Sequence, residues 1–172
     1  MEIEIRPTIE GRILDIGGGG EGIIGRVYQD QVIAIDNRQS ELDEAPDCCE
    51  KRLMDATDLK FSDESFDHVT AFYSLMFIPK QQHDMVIQEA TRVLIPGGSL
   101  SIWDAAFEEA EPYIINLQIK LATETIETTY GVFERNASQS PSYLIELCRT
   151  HGLELMVEQT MGDQFYLCFE KR

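Results

Sequence analysis

The sequence predicts an α/β fold, a mostly parallel sheet with helices on both faces. Three observations predict it. Short β-branched runs alternate with stretches whose apolar residues recur at helical spacing. The first such run ends in Gly17-Gly18-Gly19-Gly20, which opens a helix. Pro96-Gly97-Gly98 then punctuates the chain between a helix and another β-branched run. With 172 residues, 43% of them apolar and 26% charged, the chain can bury one core and is too apolar to be largely disordered.

Each element follows from its local pattern. Arg12 to Ile16 is an apolar run that stops at glycine, a first strand. Gly20 to Gln29 carries Ile23, Ile24 and Val27 at helical spacing. Gln31 to Ile35 is a second strand ending at Asp36, and Ser40 to Ala45 a short helix closed by Pro46. Arg52 to Met54 makes a third strand, ending at Asp55, and Phe66 to Phe72 a fourth. Gln81 to Leu94 is a helix with Val86, Ala90, Val93 and Leu94 on one face, stopped by the Pro-Gly-Gly turn. Ser99 to Trp103 is a fifth strand. Ser140 as N-cap, Pro141 at the first helical position and Gly152 after the last turn bracket a helix. Its buried stripe reads Tyr143, Leu144, Leu147 and Cys148. Leu153 to Gln159 and Gln164 to Phe169, joined around Met161-Gly162-Asp163, read as a closing β-hairpin.

Residues 109–137 read as an insertion within a single domain spanning 1–172. Between Tyr113 and Phe133, Ile115, Leu117, Ile119 and Leu121 alternate with Asn116, Gln118 and Lys120, which predicts a hairpin. Ile115, Ile119, Ala122 and Ile126 also fit a helical face. On a lone domain one apolar face of this hairpin would be exposed, so it is expected to cover a pocket or to form a homodimer contact.

Composition narrows the partners. No apolar stretch approaches the length of a membrane span, and the segment from Met1 to Glu10 lacks the basic flank and apolar core of a secretory signal. The net charge of −17 repels phosphate backbones and anionic lipids, which argues against nucleic acid or a membrane surface as partner and favours small cationic ligands. Cys48, Cys49, Cys148 and Cys168 show no pairing logic, a reduced, cytoplasmic inventory. The three histidines stand apart from cysteines and acidic clusters, so no metal site is expected.

The strand-to-helix turn from Ile13 to Gly22 carries the chemistry. Glycines there admit positive φ and let a ligand approach the backbone. Gly17-x-Gly19-x-x-Gly22 also satisfies the dinucleotide fingerprint, with Asp36 near the position of the ribose acid. The loop alone therefore fits a nicotinamide or an adenosyl ligand. Asp15 favours the second, because a carboxylate at the loop mouth repels a pyrophosphate and suits an amino group and a sulfonium cation. Asp36 can accept from both ribose hydroxyls, and Asp55-Ala56 offers a carboxylate to an adenine amino group.

In order and spacing, LDIGGGGEG, VIAIDN, MDATDLKFSDESFD and RVLIPGG resemble a class I S-adenosylmethionine-dependent methyltransferase of the small-molecule type. The resemblance runs from Ile13 to Asp104. It implies a Rossmann-like three-layer sandwich with a seven-stranded sheet of order 3-2-1-4-5-7-6, strand seven antiparallel. It also implies S-adenosylmethionine as cofactor and a small-molecule acceptor. By the same resemblance Asp15, Gly17, Gly19 and Gly22 cradle the methionine end, Asp36 and Asn37 hold the ribose, Asp55 and Ala56 meet the adenine, and Phe72 lines the floor.

Two features depart from the family pattern. Glu21 precedes the last glycine of the loop, and Tyr73-Ser74-Leu75-Met76-Phe77 replaces the usual polar stretch after the fourth strand. Only a short segment precedes the first strand, so the site is open or is covered by the insertion or a second subunit. Tyr73, Trp103 and Asp104, at strand ends, are the candidates for lining the substrate. Asp104 and His83 could take a proton, although His83 beside Asp84 reads as solvent-exposed. No catalytic residue is assigned, since methyl transfer proceeds by alignment and exclusion of water. An adenosylmethionine-binding module without turnover and a nicotinamide-dependent oxidoreductase are the competing readings.

Overall fold

The computed structural model describes residues 2–108, 112–133 and 138–172. Ten strands and four α-helices follow one another as β1 (Glu2–Glu4), β2 (Ile13–Ile16), α1 (Ile23–Tyr28), β3 (Val32–Asp36), α2 (Gln39–Glu44), β4 (Glu50–Leu53), β5 (Phe66–Phe72), α3 (His83–Val93), β6 (Leu94–Ala105), β7 (Tyr113–Lys120), β8 (Thr125–Val132), α4 (Pro141–Thr150), β9 (Leu153–Met161) and β10 (Gln164–Lys171). Seven strands form one sheet in the order β4-β3-β2-β5-β6-β10-β9. Its first five are parallel, and β10 runs antiparallel to both β6 and β9.

The central strand β2 is buried throughout, so its alternation sorts residues between two cores rather than between core and water. Leu14 and Ile16 join Val69, Ile102, Val86, Ala90 and Leu144 on the face covered by α3 and α4. Ile13 faces the other way, with Ile23 and Ile24 of α1. Ser140 Oγ accepts from Tyr143 N at 3.3 Å, with Pro141 in the first turn of α4. Leu144, Ile145 and Cys148 are its buried residues, while Tyr143 and Leu147 are half-buried.

Three features differ from expectation. The helix after the glycine loop starts only at Ile23, because Gly22 sits in a left-handed conformation as its N-cap. Strand β6 begins at Leu94, directly after α3. Leu94 pairs with Phe66, the ladder shifts across the Pro-Gly-Gly turn, and it resumes at Ser99 opposite His68. The third feature is a second sheet of order β1-β7-β8, in which the unanticipated β1 runs parallel to β7.

The hairpin β7–β8 therefore does not stand alone. Its apolar residues Ile115, Leu117 and Ile119 are buried in this chain's own second core, with Ile5, Ile24 and Phe72. That burial removes the exposed face on which a homodimer contact was expected. Residues 109–111 and 134–137, at the ends of the insertion, lie outside the described residues.

Candidate functional site

A cavity of about 390 Å³ opens above the carboxyl ends of β2 and β3. Its floor is the glycine loop, tied to β3 where Gly17 N and Gly18 N donate to Ile35 O at 2.9 and 3.0 Å. Gly17 has φ +71, and a Cβ there would stand 2.4 Å from the Cβ of Ser74. Only glycine fits that position.

Sheet register sets the acids. Asp15 lies between Ala34 of β3 and Thr70 of β5, and Thr70 Oγ1 donates to its Oδ1 at 2.7 Å. The carboxyl is 2% exposed. Burial pushes it up to about 7 against the opposing pull of the Thr70 hydrogen bond, and the negative charge of Asp36 adds to the rise. A positive charge placed beside a carboxyl raised in this way favours its ionised form. Asp36 closes β3; its Oδ1 accepts from Arg38 N at 2.9 Å, and its Oδ2 lies beside Gly19. Asp55 follows β4, where the backbone and hydroxyl of Thr57 donate at 2.8 and 2.7 Å and hold it below the usual carboxylate range. Gly19, Gly22, Asn37, Ala56 and Phe72 line the same cavity, so all nine cofactor residues expected from the sequence meet there.

The second sheet supplies a cover. Tyr130 of β8 lines the cavity, and its hydroxyl donates to Glu21 Oε2 at 2.9 Å. Thr128 Oγ1 donates to the other oxygen of the same carboxylate. Arg26 of α1 pairs with Glu124 at 2.9 Å, which ties the hairpin to the helix that follows the loop. The Tyr130 ring stands 5.6 Å from that of Tyr73 and 6.0 Å from that of Phe77. Burial, then the neighbouring Glu21 charge, push the Tyr130 phenol far up, so it remains a neutral donor. Ser74 also lines the cavity, and its buried Oγ has no hydrogen-bond partner. Taken together these groups offer carboxylates for an amino group and a diol, an unsatisfied hydroxyl, and π-faces for a cation.

The methyltransferase domain family matches residues 14–102, just over half of the chain and the span that holds this loop and all three acids. The chain belongs to that family. A sterol 4-C-methyltransferase of Caenorhabditis elegans is 32% identical over 102 residues, 59% of this chain and 30% of that protein. A 27-O-demethylrifamycin SV methyltransferase of Amycolatopsis mediterranei is 36% identical over 105 residues, 54% of this chain and 38% of that protein. The matches thus span about a third of these curated relatives. Among solved structures, an S-adenosylmethionine-dependent methyltransferase from Methanosarcina mazei superposes with a TM-score of 0.68 at 17% identity, covering 98% of this chain and 99% of that one. A glycopeptide N-methyltransferase complexed with S-adenosylmethionine gives 0.68 at 14%, covering 96% and 89%. At such identities the two structures speak to the fold.

Within this methyltransferase domain the three substrate candidates part company. Tyr73 lines the cavity, held in a left-handed conformation with φ 47 that a side chain rarely adopts. Trp103 does not reach it. Alternation along β6 puts Trp103 over a separate cavity, stacked on Tyr166 of the neighbouring strand at 4.7 Å. Asp104, one residue on, faces the opposite way and is fully buried. There it accepts from Met76 N at 3.2 Å and its own neighbour Ala105 N at 2.9 Å. Burial outweighs those bonds and pushes its carboxyl to about 7. Asp104 thus anchors the 75–77 turn rather than meeting substrate.

His83 is likewise 2% exposed, not solvated. Its Nε2 lies 3.1 and 3.0 Å from the carbonyls of Leu75 and Ile78, donating as a clamp on the same turn, and burial lowers its pKa. Sequence reasoning missed Glu21 and Tyr130 as a pair. Glu21 was visible as an acid in the glycine loop, but nothing local connects it to a tyrosine 109 residues away.

Proposed function

We propose that this chain binds S-adenosylmethionine in the glycine-loop cavity and transfers its methyl group to a small-molecule acceptor. The observation that carries the reading is Asp15, a carboxyl buried at the glycine loop between β3 and β5 where a cationic group would favour its ionised form, at a loop otherwise suited to adenosyl or nicotinamide ligands. The same carboxyl disfavours a pyrophosphate.

Asp15 and the loop from Gly17 to Gly22 would hold the amino-acid end, Asp36 with Asn37 the ribose, and Asp55 with Ala56 the adenine, above Phe72. When bound, the cofactor would supply an electrophilic methyl group at its cationic sulfur end. Tyr130, Tyr73 and Phe77 exclude water from that end and present aromatic faces to the positive charge. Tyr130 is oriented for this by its bond to Glu21.

The sheet order β4-β3-β2-β5-β6-β10-β9 equates with the 3-2-1-4-5-7-6 order of the family, which supports reading the site residue by residue. The charge of −17 supports an acceptor other than nucleic acid, and four free thiols support a reducing, cytoplasmic compartment. Among the described residues no helix is long and apolar enough to cross a membrane.

Calorimetric titration with adenosylmethionine, adenosylhomocysteine and NADH tests the ligand. The proposal expects the first two to bind and NADH not to; tight NADH binding overturns it. Release of adenosylhomocysteine in a metabolite mixture tests transfer, and a bound cofactor with no release under any acceptor mixture would favour a binding module.

A further inference from the structure

Trp103, displaced from the first cavity, marks a second. About 560 Å³ in volume, it lies on the α1 side of the sheet beside the carboxyl end of β6. Its floor is the stacked pair Trp103 and Tyr166, rings 30° apart, flanked by Ile5, Tyr28 and Met161. Such a surface fits flat rings. The charged side chains at its rim, Arg6 and Glu4, pair with each other at 2.6 Å, so neither is offered to a ligand.

Two further observations point to an occupant. Gln164, 4% exposed, lines this cavity, and its Nε2 has no hydrogen-bond partner although Tyr73 OH donates to its Oε1 at 2.8 Å. Turning the amide over exchanges the two ends without serving both, so one end always lacks a partner. A hydroxyl, donor and acceptor at once, serves either orientation. Tyr73 itself lines both cavities. It is the wall they share, and its left-handed backbone shows that the surrounding structure forces it there.

We propose that this second cavity holds the ring body of the methyl acceptor, a neutral molecule of fused flat rings bearing a hydroxyl that meets Gln164. The catalytic meaning rests on the methyl-transfer reading above, while the ligand class rests on the cavity alone.

Nile red, an uncharged fused-ring dye that brightens in apolar sites, is the probe, titrated into protein saturated with adenosylhomocysteine. Trp103 is the only tryptophan, so its fluorescence reports occupancy independently. One dye per chain should bind and quench Trp103, and Trp103→Ala should weaken it about tenfold. In displacement of the dye, the affinity of 2-naphthol relative to naphthalene should fall about threefold in Gln164→Leu. Circular dichroism melts confirm that each variant is folded; Trp103, half-buried, is the safer change should Gln164→Leu not fold. Loss of the dye on adding adenosylhomocysteine overturns the proposal, as does unchanged binding in the folded variants. So does sedimentation as a dimer that Trp103→Ala dissociates, since the face then belongs to a second copy. Calorimetry with adenosylhomocysteine alone tests the methyl-transfer reading separately.

Discussion

The floor and the cover of the first cavity are built by different rules. The floor comes from carboxyl ends of adjacent parallel strands, so Asp15 and Asp36 are positioned by sheet register, with Thr70 of the adjoining strand holding the Asp15 carboxyl. The cover comes from a separate sheet. It is seated by apolar burial of Ile115, Leu117 and Ile119 and aligned by the bonds from Thr128 and Tyr130 to Glu21. A floor made this way is rigid and local, whereas a cover made this way is coupled to the loop through one carboxylate. Substitutions should therefore separate the two.

Gly17→Ala should be the most damaging. Its positive φ and the 2.4 Å approach to Ser74 combine strain with overpacking, about 2–4 kcal/mol, and cofactor affinity should fall about a hundredfold or more. Thermal denaturation and calorimetry measure both. A stable, tightly binding Gly17→Ala would mean that the floor is not rigid.

The pH dependence comes next. Asp15 is raised from 3.8 to about 7, so the folded state favours its neutral form. Its contribution is fully present below about pH 4 and is lost as pH rises through about 7. Asp104 acts in the same sense. Asp15→Asn should therefore raise the melting midpoint above the parent's at alkaline pH and converge with it in acid. Adenosylmethionine binding near pH 6.5 should release a proton, about one per chain at most, from the parent and none from Asp15 in the variant, as calorimetry in buffers of different ionisation enthalpy reads out.

The cover is tested by a double-mutant cycle on Glu21→Gln and Tyr130→Phe. A coupling of about 1–2 kcal/mol in cofactor binding is expected. Strict additivity would cut the link between loop and hairpin. Arg26→Ala should do least, under about 1 kcal/mol in urea melts, because its pair with Glu124 is solvent-accessible.

The same division governs what the sequence discloses. Strands ending in glycine or aspartate reveal the floor, because residue order along a parallel strand is residue order in space. Alternation at Ile115, Leu117 and Ile119 reveals the hairpin but not what it packs on, and β1, three residues at an edge, has no pattern of its own. Trp103 and Asp104 both look like pocket residues in the sequence because they end a strand. Neighbours in a strand face opposite ways, and neither face of β6 at that point is the first cavity. His83 misled through its charged neighbour; its ring turns inward to carbonyls that only the 75–78 turn creates.

Isothermal titration of Asp36→Ala tests most directly whether the glycine-loop cavity is an adenosylmethionine site. A carboxylate accepting from ribose hydroxyls makes charge-assisted bonds of roughly 1.5–3 kcal/mol each. Asp36 closes a strand at the cavity rather than filling the core. The variant should stay folded and bind adenosylmethionine at least about tenfold more weakly than the parent. A folded Asp36→Ala that binds it as the parent does would contradict the assignment.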